Sequence, residues 1–243
     1  MPQEEPNLFN KSFALSAGFI FLLVIGLVWL LVDGGVSRTT VPSGAVSDSG
    51  VQAPEVTPTN GVDTPDLGCK MPQGDQKVPT GALGAEVIQV GSDLVVPFVP
   101  GAGPGVREGI TRCFTHSPTG AVVAATNFLK WLSSNRKLDE VTAKLIAPGP
   151  DRDRMLKDVK TNWDGSTTPA LTVLGYKTEI RGRDEVLVTL ATALPSDLSH
   201  MVSWQLVMTW AEDDWKVRPS PTGDWGGRVI KSLADERFAA WTV

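Results

Sequence analysis

The chain has 243 residues, with 22 Lys and Arg against 27 Asp and Glu, two His, two Cys and a formal net charge of −5. An acidic balance offers no basic surface for phosphate contacts, which excludes nucleic acid as a direct ligand. Two cysteines without a C-x-x-C pair do not read as a structural zinc site.

The first element is an unbroken apolar run, Phe13 to Val32, twenty residues without a charge. At about 1.5 Å of rise per residue it spans roughly 30 Å, the hydrocarbon thickness of a bilayer. In lipid such a segment must be helical, because no other backbone arrangement satisfies itself. Leu31-Val32-Asp33-Gly34-Gly35 offers no good cleavage site, so the run reads as a retained transmembrane helix over 13–32 rather than a removed signal peptide. Lys11 on the N-terminal flank, opposed by Glu4 and Glu5, places residues 1–12 as a short cytoplasmic tail and residues 33–243 outside. The expected location is therefore the cell membrane, single-pass, with an extracytoplasmic C-terminal domain.

Residues 33–66 are rich in Gly, Pro, Ser and Thr, with Pro42, Pro54, Pro58 and Pro65 as punctuation. The stretch cannot bury enough apolar surface to offset its chain entropy and is expected to be a flexible linker. Residues 67–116 form an irregular wrapping segment. It holds two short strand-like runs, around Val87-Ile88 and Leu94-Val95-Val96, and then the breakers Pro97, Pro100, Gly101, Gly103, Pro104 and Gly105. Both cysteines, Cys69 and Cys113, lie in it. An even count in an exported chain reads as a disulfide, which for a loop of about 45 residues contributes about 4 kcal/mol on chain-entropy grounds. The other reading is two separate buried thiols.

Regular structure is expected over 117–243. Ser117-Pro118 carries the signature of a helix start, and Val122, Ala125, Phe128, Leu129 and Leu132 follow at helical spacing, predicting a helix over 118–134. Asn135 is read as the cap of a second helix bearing Leu138, Val141, Leu145 and Ile146. Pro150 opens a third with Met155, Leu156 and Val159. Its Arg152, Arg154, Lys157 and Lys160 alternate with Asp151, Asp153 and Asp158 as a solvated, salt-laced face. After Trp163-Asp164-Gly165 the period changes to two, giving strands over Leu171–Ile180, Glu185–Ala193, Val202–Trp210 and Trp215–Val217. Helices followed by consecutive antiparallel strands define an α+β domain of about three helices on one face of a curved sheet.

That order resembles the nuclear-transport-factor-2-like, or cystatin-like, cone fold over residues 117–220. Cys69-Lys70-Met71-Pro72-Gln73-Gly74-Asp75-Gln76-Lys77-Val78-Pro79-Thr80, together with Arg112-Cys113-Phe114-Thr115-His116-Ser117-Pro118-Thr119-Gly120-Ala121, resembles an uncharacterised family of membrane-anchored actinobacterial proteins often associated with integrated mobile elements. That likeness carries over no catalytic residues. The layout of anchor, linker and cone-like domain is also similar to the bitopic assembly components of type IV secretion and conjugation channels. It implies protein–protein contacts with other membrane or channel subunits, further copies of this chain included.

The search for chemistry is thin. Gly-x-Ser-x-Gly, His-Glu-x-x-His and a Walker loop are absent. Gly101-Ala102-Gly103-Pro104-Gly105 lacks the Lys-Ser/Thr of a phosphate loop. His116 reads as a packing or capping residue and His200 as exposed. Were the cone catalytic, Asp139, Asp164 and His116 would be the candidates. Glu212-Asp213-Asp214 reads as a solvated hairpin turn rather than a calcium loop. No catalytic, cofactor-binding or metal-ligating residue is assigned. Trp225 and Trp241 are candidate interface residues, against the alternative of a self-packing tail. The expected function is a non-enzymatic membrane-anchored scaffold of a conjugation or type IV secretion-like channel. The alternatives are a small-ligand-binding or catalytic cone domain, and a general cell-envelope assembly protein.

Overall fold

A computed structural model describes residues 69–241, apart from Asp93 and 221–224. The tail over 1–12, the apolar run over 13–32 and the linker over 33–66 lie outside the described residues. Among those described, no helix is long and apolar enough to cross a membrane.

Strands β1 (Glu86–Val90) and β2 (Leu94–Phe98) form an antiparallel hairpin, with Val90 opposite Leu94 and Glu86 opposite Phe98. Helix α1 (Pro118–Ser133) begins as the sequence predicts. Ser117 is the N-cap, its hydroxyl accepting from Gly120 N at 3.0 Å, and Pro118 stands in the first turn. Thirteen of its sixteen residues are buried. A helix buried nearly all round must lie between layers. It does: α1 packs on β2 at one side and on β3, β4, β5 and β6 of the main sheet at the other. Asn127 ties the outer layer down, donating to Pro97 O at 3.0 Å.

Helix α2 (Leu138–Leu145) starts later than Asn135 predicts. Asn135 sits at φ 56° and Lys137, the N-cap residue, at φ 46° with no side-chain cap bond. The Asn135 amide donates instead to Ser166 O at 2.8 Å, so it holds the chain beyond the third helix rather than the start of the second. Helix α3 (Pro150–Asn162) has no buried residue. Its Arg154–Asp151 pair at 2.6 Å and Arg152–Glu212 pair at 3.7 Å match the salt-laced face expected of it.

The main sheet has six strands: β3 (Thr172–Ile180), β4 (Glu185–Leu194), β5 (Asp197–Ala211), β6 (Asp214–Arg218), β7 (Arg228–Ile230) and β8 (Ala239–Ala240). Their order is β6-β5-β4-β3-β8, every pairing antiparallel, with β7 beside β6 on the free edge of β5. Strand β5 starts five residues before the predicted Val202, because the tight Pro195-Ser196 connection lets pairing begin at Leu194 with Asp197. Strands β7 and β8, three and two residues long, carry too little alternation to be legible in the sequence.

One core fills the space between α1 and the sheet, using Val186, Val188 and Leu190 of β4, Leu206 and Met208 of β5, and Trp215 and Val217 of β6. This is the period-two pattern of a strand set with one face inward. A smaller core covers the other face, where Ile230, Leu233 and Phe238 pack on Ala191 and Met201. The described residues thus form an α+β domain of three helices on a mostly antiparallel sheet, with both sheet faces covered in part.

Candidate functional site

The polar chemistry gathers where the loop before α1 meets the β5–β6 hairpin. Sequence periodicity ends β5 at an acidic triplet. In the structure Glu212 and Asp213 take φ of 53° and 57°, the positive pair of a type I′ hairpin turn. The third acid departs from the expected solvated turn. Asp214 is fully buried, at 0 % exposure. Its Oδ1 accepts from Phe114 N at 2.8 Å and from Trp215 N at 2.9 Å, and its Oδ2 accepts from Cys113 N at 2.8 Å. Cys113 lies at φ 68°, so that consecutive amides converge on one carboxylate, an anion nest built from the chain's own backbone. Burial pushes the Asp214 carboxyl above the ordinary range, against the opposing pull of the Phe114, Cys113 and Trp215 amides and of Lys216. Lys216 is itself 6 % exposed and donates to Lys144 O, joining the hairpin to α2.

Cys113 also carries the predicted disulfide. The Cys69 and Cys113 sulfurs are 2.00 Å apart with Cα atoms at 5.0 Å, and no cysteine is free. The two sulfurs and the Asp214 carboxylate lie within 4.8 Å of one another. With the sulfurs bonded to each other and the carboxylate occupied by backbone amides, the group is spent on structure.

His116 follows two residues after Phe114. Its ring stacks on Trp210, centroids 4.1 Å apart at 15°, and meets Trp215 edge-on at 5.5 Å. Nε2 lies 2.9 Å from Asp184 Oδ1 and 3.1 Å from Arg183 O, two acceptors, so Nε2–H is the donor. This is the packing residue the sequence predicts, fixed to the β3–β4 turn. Trp215 Nε1 donates to Thr115 O at 2.9 Å, and Gly120 is so close to the same carbonyl that a Cβ there would lie 2.0 Å from it. The loop 113–117 is therefore clamped from the hairpin, the helix and the β3–β4 turn together.

The other sequence candidates are scattered. Asp139 lies in the first turn of α2, while Asp164 accepts from Ser166 N at 2.8 Å in a local turn, its carboxyl lowered first by the Ser166 side chain and then by that amide. Neither is paired with His116, whose acidic partner is Asp184 in the β3–β4 turn. His200 is exposed, as expected, its Nδ1 on Asp197 Oδ2, with Ser199 Oγ donating to Asp197 Oδ1 at 2.6 Å. These contacts, Ser199 first and then His200, hold the Asp197 carboxyl down at about 2. Ser199 Oγ also lies 3.5 Å from His200 Nδ1, but that nitrogen sits closer to Asp197 Oδ2 and the hydroxyl donates to Asp197 Oδ1, so the three residues close a surface turn on the aspartate.

In the Gly101–Gly105 stretch the amides of Ala102 and Gly103 donate to Val99 O and that of Gly105 to Cys113 O, which leaves those amides unavailable to a phosphate. Trp241 is 3 % exposed and packs edge-on against Tyr176 at 5.8 Å, its Nε1 buried without a partner among the described residues. Trp225 is half-buried, 5.6 Å from Phe128. Both indoles turn into the domain, the arrangement of a self-packing tail. An interface over this region would rest on exposed neighbours such as Val229, 75 % exposed.

Two depressions among the described residues bear on the site. One of about 370 Å³ is lined by Ser134, Arg136, Thr167 and Thr168 among others, and one of about 190 Å³ by Gln76, Ser117, Arg183, Val186 and Trp215 among others. No His or Asp lines either.

A disulfide-pinned α+β domain whose buried polar groups hold backbone is the class of protein that this geometry defines. The chain belongs to the family of a domain of unknown function, DUF8175, which matches residues 49–237. No curated protein and no solved structure matches it.

Proposed function

We propose that the chain is a non-enzymatic, single-pass membrane-anchored scaffold. Its extracytoplasmic domain holds other subunits, and further copies of itself, in a conjugation or type IV secretion-like channel. The observation that carries this reading is the layout: a charge-free twenty-residue run, Phe13–Val32, precedes a disulfide-bonded domain. A bilayer-length run anchors, and a disulfide persists in an oxidising, extracytoplasmic compartment. The engagement of Asp214 by three backbone amides and of His116 by Asp184 and Arg183 supports a structural use of these groups. The packing of α1 across β3–β6 supports the likeness to the nuclear-transport-factor-2-like cone fold.

The test is a deletion strain of the source organism, complemented with the full chain or with a chain lacking residues 1–32, scored for conjugation frequency or secretion. The full chain restores transfer and the truncated chain yields a folded domain that does not, because it no longer concentrates beside its partners. Normal transfer in the deletion strain overturns the reading. So does loss of transfer from Asp164→Asn alone in a folded protein that still captures its partners by crosslinking.

A further inference from the structure

The stretch from Cys69 to Thr80 has no regular secondary structure, and none of its residues belongs to either hydrophobic core. It lies over the start of α1 as a strap. Gly74 sits so close that a Cβ there would be 2.7 Å from Ser117 Oγ. Among the described residues, one hydrogen bond joins residues 70–80 to the rest of the domain, from Gln76 Nε2 to His116 O at 2.7 Å. At the far end, Tyr176 Oη–H donates to Gly81 O at 2.6 Å. At the near end stands the disulfide. The loop that receives it needs no sulfur to hold its shape. Asp214 takes the amides of Cys113 and Phe114, Thr115 N donates to Ala102 O at 3.0 Å, and Gly105 N donates to Cys113 O at 2.7 Å. Opening the S–S bond therefore removes the main attachment of the strap and none of those that hold the loop.

We propose that Cys69–Cys113 is a redox catch: its reduction frees residues 69–80 as far as Gly81 and leaves the α+β body folded. The chain then joins that body at Gly81 instead of at the Cys113 loop. On the membrane-anchored reading above, on which this consequence rests, about 12 freed residues lengthen the tether by about 40 Å when extended. The reductant is a dithiol. One of its thiolates attacks Cys69 Sγ, since Cys113 is only 6 % exposed while Cys69 is half-buried. The S–S bond breaks, and the Cys113 sulfur leaves with the electron pair and takes up a proton. The second thiol of the reductant then displaces Cys69 as a thiol, and the reductant departs oxidised, as a disulfide.

The experiment uses the full-length protein in detergent, oxidised or treated with dithiothreitol, in a timed trypsin digestion read by mass spectrometry. Cleavage after Lys77, in the strap, accelerates on the order of tenfold or more on reduction, as expected for a segment that opens locally. Cleavage after Lys130, buried in α1, stays far slower than cleavage after Lys77 in the reduced protein. Cys69→Ser gives the same pattern without reductant. An unchanged rate after Lys77 overturns the proposal, and so does cleavage after Lys130 as fast as after Lys77, which marks global unfolding. Neither readout involves transfer, so a failed catch and a failed scaffold reading are told apart.

Discussion

Replacing Asp214 with alanine removes the acceptor for three buried backbone donors, those of Cys113, Phe114 and Trp215. Each buried N–H left without a partner costs about 1–3 kcal/mol, which sets a floor of about 3 kcal/mol. The ceiling lies near 5 kcal/mol, because the variant also regains the cost of burying a carboxylate and the loop can relax toward water. Asp214→Asn separates the contributions. Oδ1 serves Phe114 and Trp215 while Oδ2 serves Cys113 alone. An asparagine oriented with its oxygen at the Oδ1 position keeps two of the bonds and sets an NH₂ against the third donor, for a loss of about 1–3 kcal/mol. Urea unfolding followed by tryptophan fluorescence gives both values, with an unchanged m-value as the check on two-state behaviour. A loss below about 3 kcal/mol for alanine, or an asparagine variant as destabilised as alanine, would refute the assignment of Asp214 as the acceptor at the centre of a backbone nest.

Three further outcomes are expected. Glu212→Asn with Asp213→Gly, which suits the positive φ of the β5–β6 turn, raises stability by about 1 kcal/mol in the same titration; a loss of stability would contradict the type I′ assignment. Cys69→Ser with Cys113→Ser lowers stability by about 2–4 kcal/mol, below the full loop-closure value because the freed strap regains entropy in the native state. Asp197 titrates at about 2 by carboxyl-carbon NMR, below its ordinary 3.8, and Ser199→Ala raises that midpoint more than His200→Ala. Because the folded carboxyl is depressed, its contribution to stability is present above the ordinary value and is lost as pH falls through about 2; a midpoint near 4 would remove the pairing.

The local signals that the sequence carries are those set by neighbours along the chain. Ser117-Pro118 starts α1 where it should because both the cap and the first-turn proline act within three residues. The Glu212-Asp213 turn is likewise visible, as are β3, β4 and the second half of β5, because turn residues flank an alternating pattern. Asn135 misleads because an asparagine suits a cap and a left-handed turn equally, and only the distant Ser166 carbonyl decides between them. The site is the part least legible. An acid beside two other acids reads as solvated, and nothing within its own hairpin discloses that the amides of Cys113 and Phe114, about a hundred residues earlier, enclose it. Asp184 as the partner of His116 is hidden for the same reason. The disulfide is legible because it needs only a count of two in a chain whose sequence reads as exported, and Trp241 is ambiguous because a large aromatic near a terminus suits a core and an interface alike.

The double edge of β5 bears on which length changes the chain could have accepted in its descent. One edge pairs with β4 continuously from Met201 to Thr209, after a register shift from Asp197, and the other is shared between β7, at Met201–Ser203, and β6, at Val207–Ala211. A single inserted residue inside this strand would exchange Leu206 and Met208 for Gln205 and Val207 on the core side, and would do so against two partners at once. The one interval where the second edge passes from β7 to β6 is Trp204 to Leu206, and there β4 still fixes the register. Insertions and deletions among relatives should accordingly fall in the Pro195-Ser196 connection and between β6 and β7, with β5 constant in length. A relative that carries an extra residue within β5 would have to compensate with a bulge in β4, at the same level of the sheet.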